Sequence, residues 1–99
     1  MLFNAVGTIH SHLTQEQRHA GLARRAEWKY PQGVKVQSEI WRATAPEIIT
    51  TFECDSYEGI MAIQLAWQDF MQMNFSPCTT PEQGLQTGAK LLQQQAQKK

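Results

Sequence analysis

The chain has 99 residues, 41% of them apolar and 18% charged, with nine basic residues balanced by nine acidic ones. That composition describes one small globular domain and excludes a disordered tract. A net charge near zero argues against broad attraction to nucleic acid or to an anionic membrane, and it opposes self-association little.

Leu2 to His10 reads as a first strand, with Phe3, Ala5, Gly7 and Ile9 on one face and Leu2, Asn4, Val6, Thr8 and His10 on the other. Gly7 weakens a strand and marks a close approach; a helix packed over it is the simplest reason. Thr14-Gln15-Glu16-Gln17 is a capping box, which predicts a helix running to about Trp28. Its spacing turns His19, Leu22, Ala23 and Ala26 inward and sets Arg18, Arg24, Arg25 and Glu27 mostly toward water. The breakers in Tyr30-Pro31-Gln32-Gly33 end it.

Val34 to Asp55 then alternates with period two on both sides of Ala45-Pro46-Glu47. That predicts two strands joined by a tight type I turn, with Pro46 at its second position. One face of the first of these strands carries Gln37, Glu39 and Trp41; in the second, Ile49 and Thr51 share a face with Glu47 and Glu53. Asp55 or Ser56 caps a second helix whose broad apolar set is Ile60, Ile63, Trp67, Phe70 and Met71. Met73 to Cys78 reads as a short edge strand that tolerates Pro77. Thr80-Pro81-Glu82-Gln83 opens a third helix bearing Leu85, Ala89 and Leu92. The domain therefore spans 1–92, and 93–99 is expected to be a polar, flexible tail.

The order β-α-β-β-α-β is the ferredoxin-like split βαβ, an α+β class with an antiparallel sheet, here with an extra C-terminal helix. The strand order 4-1-3-2 holds Cys54 and Cys78 two strand spacings apart, about 9.5 Å, beyond the reach of a disulfide. The start lacks a signal-peptide pattern and no run is long enough to span a membrane, so a cytoplasmic location is expected.

Several residues carry the resemblance of this chain to a known group. They are Met1-Leu2-Phe3, the segment Thr14–Arg18, Gly33-Val34-Lys35, Trp41, Glu53, Asp55, Trp67, and Phe75 with Pro77. In their order the chain resembles a family of short, uncharacterised prokaryotic proteins, a domain of unknown function, within the dimeric α/β-barrel superfamily. The run before Trp41 is about one residue longer than the family pattern. The resemblance implies a homodimer with two sheets face to face. That superfamily also includes cofactorless quinol monooxygenases, lactone isomerases and haem-degrading enzymes, so fold does not fix function.

No specific catalytic or metal motif is present. His10-x-His12 lacks a recognisable third ligand, so neither a metal nor another cofactor is expected. His10 is the candidate general base, because its strand face would look into the barrel. Trp28, Trp41 and Trp67, with Tyr30 and Tyr57, either form core or wall a pocket for a planar ligand. Asn4, Trp28, Phe52 and Trp67 are the candidate ligand-binding residues. Gln37, Glu39, Trp41, Ile49 and Thr51 are the candidate dimer interface, since a large aromatic on a bare sheet face suggests association. Glu39, Glu47 and Glu53 are expected on that face too, with Lys35 and Arg42 as partners. Arg24, Arg25 and Lys29 read as a solvated helix face. The expected function is a homodimer binding a small apolar or aromatic molecule. The alternative is a cofactor-independent monooxygenase or isomerase acting on a phenolic or lactone-like substrate.

Overall fold

The computed structural model describes residues 1–97. The chain runs β1 (Leu2–Ile9), α1 (Gln15–Ala26), β2 (Lys35–Trp41), β3 (Ile48–Glu53), α2 (Tyr57–Trp67), β4 (Met71–Pro77) and α3 (Pro81–Gln97). The four strands form one antiparallel sheet in the order β2-β3-β1-β4. The fold is α+β and compatible with the ferredoxin-like pattern. β4 lies at an edge, where Pro77 faces Phe3 at the end of the ladder. Cys54 and Cys78 are both free.

The core lies on one sheet face, where Ala5, Thr50 and Phe52 are buried and α2 brings in Ile63 and Trp67. Thr14 caps α1 through the expected box, with its side chain accepting from Gln17 N–H and Gln17 accepting from Thr14 N–H. Ser56 caps α2 by accepting from Gly59 N–H. Phe70 and Met71 fall beyond α2, and Met71 opens β4. Gly7 is covered by the Met71 side chain rather than by a helix: a Cβ there would sit 2.5 Å from its sulfur.

The hairpin of β2 and β3 departs from simple alternation. Lys35 faces Glu53 and Val36 faces Phe52, but the next pair is Ser38 with Thr51. Gln37 is thus the extra residue of a β-bulge, and every residue after it changes face. Glu39 pairs with Thr50 and Trp41 with Ile48, which puts both on the helix-bearing face. This corrects their expected place on the bare face. The bulge moves Ser38 and Ile40 there instead. The expected type I turn is also replaced. The strands end at Trp41 and Ile48, so the connection runs from Arg42 to Glu47 and contains a cis Ala45–Pro46 bond. Arg42 N–H closes it by donating to the Glu47 carbonyl at 2.6 Å.

The inward side of α1 is also shifted from the expected one. Gly21 is buried, Arg18 and Arg25 are half-buried, and His19, Ala23 and Ala26 are exposed. The cause is Phe70, whose ring lies 2.1 Å from where a Gly21 Cβ would be, so glycine sets which stripe of α1 meets the body. α3 buries no side chain; Leu85, Leu91 and Leu92 are all exposed. It continues to Gln97, so residues 93–97 of the expected flexible tail are helical. The remainder of that expectation, 98–99, lies outside the described residues.

Gly21→Ala tests the packing of α1. Alanine gains about 1 kcal/mol of helix propensity over glycine. Forcing a methyl group into the Phe70 ring costs more, so a net loss on the order of 1–2 kcal/mol is expected in urea unfolding. An unchanged or raised midpoint would show that α1 does not rest on Phe70.

Candidate functional site

Beneath α1, between its inward side and the β2–β3 end of the sheet, lies a partly open cavity of about 280 Å³. Ile9, Ile48, Ile63, Phe70, Met71 and Met73 give it an apolar floor. Trp28, Trp41 and Trp67, all three tryptophans of the chain, line it together with Tyr30. The Trp28 ring meets Tyr30 and Trp67 edge to face, each with centroids 5.6 Å apart, and Trp67 meets Phe70 likewise at 6.0 Å. Such pairs hold large side chains in fixed orientations.

One carboxylate organises the rim. Glu39 accepts from the Tyr30 hydroxyl, from Trp41 Nε1 at 2.6 Å and from Arg25 Nη2 at 2.7 Å. Its side chain is only 13% exposed. The Arg25 guanidinium also lies over the Tyr30 and Trp41 rings, 5.7 and 5.5 Å from their centroids. Burial works against the charge of Glu39, but the donors from Tyr30, Trp41 and Arg25 outweigh it and hold the carboxyl below its ordinary value. Tyr30 shifts the other way. Burial raises it first, and the adjacent Glu39 carboxylate raises it further, so its hydroxyl stays a donor.

Three more charged groups line the cavity. Arg18 donates from Nη2 to the His10 carbonyl at 3.2 Å, Arg42 enters from the hairpin loop, and Glu47 Oε1 accepts from Ile9 N–H at 3.2 Å. The three glutamates expected on one face are therefore separated. Glu39 and Glu47 belong to the cavity side, while Glu53 remains on the bare face and accepts from Gln37 Nε2 at 3.3 Å. Arg24 is not simply solvated either. It makes a two-pronged bond with Asp69 at 3.0 and 3.1 Å and covers the Trp67 ring at 4.4 Å.

Of the expected ligand-binding residues, Trp28 and Trp67 line the cavity; Asn4 and Phe52 do not. Phe52 is 1% exposed, sealed in the core. Asn4 is on the opposite sheet face, with Nδ2 3.5 Å from the Thr50 carbonyl and from Thr51 Oγ1. His10 lies outside the cavity lining. Its Nε2 donates to the Gln68 carbonyl at 2.9 Å, and its ring stacks on His12 with centroids 5.1 Å apart. Among the described residues no group of three His, Cys, Asp or Glu side chains is placed to hold a metal ion. No helix among them is long and apolar enough to cross a membrane. Sequence reasoning missed Arg18, Arg25, Arg42 and Glu47 as cavity residues. Helical spacing would have found two of them: Arg18 and Arg25 stand four residues before and three after Leu22, which itself lines the cavity.

Residues 1–92 match a domain of unknown function, DUF3303, and the chain belongs to that family. No curated protein and no solved structure matches it.

The Glu39 anchor has a pH signature. Its carboxyl is lowered in the folded state, so the stabilisation it gives is fully present above the unfolded value and is lost as pH falls below about 4.5 through the folded value. Wild type should be more stable than Glu39→Gln by an amount that is constant near neutrality and shrinks in that acid window. Asp55 and Asp69 are also lowered, by the Met1 ammonium and by Arg24 respectively, and affect both proteins alike. Urea midpoints from pH 7 to pH 3 make the comparison. A gap that stays constant would refute the anchoring role of Glu39.

Proposed function

We propose that this DUF3303 protein is a homodimer of the dimeric α/β-barrel type that binds a small apolar or aromatic molecule in the cavity beneath α1. The observation that carries the reading is the cavity itself: about 280 Å³, apolar in its body and walled by three tryptophans and a tyrosine. A dry apolar cavity of about 150 Å³ accepts benzene, so this one suits one or two rings. A few fixed polar groups at one rim of an apolar pocket is the usual design of a small-molecule site. The enzyme reading, a cofactor-independent monooxygenase or isomerase, has less support. Its candidate base His10 and the polar candidate ligand-binding residue Asn4 are both outside the cavity lining.

The dimer rests on the bare sheet face. Ile40, Ile49 and Val6 lie opposite one another on three adjacent strands. Ile40, at the edge-strand end of this row, is 58% exposed and extends the apolar surface to the rim of the sheet. Around the row are Asn4, Ser38, Thr51 and Asn74, which suit hydrogen bonds or trapped water across a two-fold axis, with Leu2 adding apolar surface. A second copy would also offer a surface to the exposed leucines of α3, a helix with little reason to be stable alone.

Light scattering of the wild type at micromolar concentration should give the mass of a dimer. Ile49→Glu, which sets a charge in the middle of the row, should shift it toward monomer. Trp41→Glu, on the cavity side of the sheet, should leave the mass unchanged and weaken binding of small aromatic compounds. A monomeric wild type defeats the dimer; a Trp41→Glu monomer with an intact Ile49→Glu dimer reverses the assignment of faces.

A further inference from the structure

We propose that the molecule taken up by this cavity is an aromatic or unsaturated acid whose single carboxylate is held by Arg18 and Arg42. This rests on the cavity-binding reading above and narrows its ligand class. The charges around the cavity do not balance. Arg25 is neutralised by Glu39 at 2.7 Å. That leaves Arg18 and Arg42 facing one carboxylate, Glu47. Among the described residues neither arginine has a carboxylate within ion-pair distance. Glu47 is itself held, since its Oε1 accepts from the backbone of Ile9. The cavity therefore carries one positive charge in excess, beside apolar walls whose low polarity strengthens an electrostatic contact.

The guanidinium groups also have donors to spare. A guanidinium offers five N–H donors in a fixed plane, and Arg18 uses one, from Nη2 to the His10 carbonyl. That single bond helps fix the side chain while leaving the rest of its plane to meet a carboxylate in the two-pronged geometry arginine favours. The aromatic walls would enclose the body of such a molecule, and the acid group would point to the arginines. A neutral ligand of the same shape would fill the walls and leave the excess charge unmet.

Cinnamate and cinnamamide share a shape and differ in charge, so isothermal titration calorimetry of the full chain with each separates the two readings. Cinnamate should bind at least about tenfold more tightly, the usual yield of charge-assisted hydrogen bonds. In Arg18→Gln and in Arg42→Gln that ratio should fall toward one, and Arg42→Lys should keep part of it. Equal affinities in the wild type, or a preference for the amide, would overturn the acid assignment and leave the cavity reading standing. A preference for cinnamate that survives both glutamine variants would also overturn it. If neither compound binds at millimolar concentration, the cavity reading falls with it.

Discussion

The carboxylate of Glu39 is the joint on which the cavity depends. It receives donors from three segments that share no backbone ladder: Arg25 at the end of α1, Tyr30 in the following loop, and Trp41 at the end of β2. A half-buried carboxylate is costly unless its oxygens are satisfied, and here three donors satisfy them. Removing any one donor leaves the charge less well met, so the three segments hold one another in place. The effect is a rim whose polar groups are mutually fixed while the floor beneath them stays apolar.

The two helices that cover the sheet do so by different means. α2 buries Ile63 and Trp67 in the ordinary way, as an apolar stripe against the core. α1 buries only Gly21, and it is tied down instead by side-chain bonds: Arg18 to the His10 carbonyl, Arg24 to Asp69 and Arg25 to Glu39. A helix attached at its polar side chains leaves space beneath it where apolar packing would have filled it. The cavity is that space. Its charged rim and its apolar floor thus have one origin.

The order of elements, the caps of α1 and α2, the strand order and the free thiols were all legible in the sequence, because each follows from local pattern or simple geometry. The inward side of α1 was not. Leu22, Ala23 and Ala26 carry the apolar signal, but the ring of Phe70, distant in sequence, selects Gly21, and glycine carries no hydropathy to detect. The faces of Glu39 and Trp41 were misread for another reason. Alternation predicts faces only while pairing is unbroken, and nothing in Val36-Gln37-Ser38 signals the extra residue by itself. The length of the run before Trp41 was the one available clue. Trp28 and Trp67 were found as pocket residues because large aromatics near helix ends are conspicuous; Arg18 was missed because a charged helix side chain reads as solvated, and Arg42 because it read as a partner of glutamates on the bare face.

The bulge at Gln37 makes the hairpin sensitive to parity. A bulge absorbs one residue without moving the pairs on either side of it. A single-residue deletion at Gln37 would therefore leave Ser38 opposite Thr51, Glu39 opposite Thr50 and Trp41 opposite Ile48, and the cavity would keep its rim. Straightening the strand with Gln37 held in the ladder does the opposite. Gln37 would then face Thr51, and Glu39 and Trp41 would pass through the sheet to its other side. Ile40 would enter the cavity in their stead, and the donors of Arg25 and Tyr30 would meet a hydrocarbon. The same residues thus hold two possible surfaces, an acid-braced aromatic chamber or an aromatic and a carboxylate displayed on the outer face, and one unpaired residue decides between them.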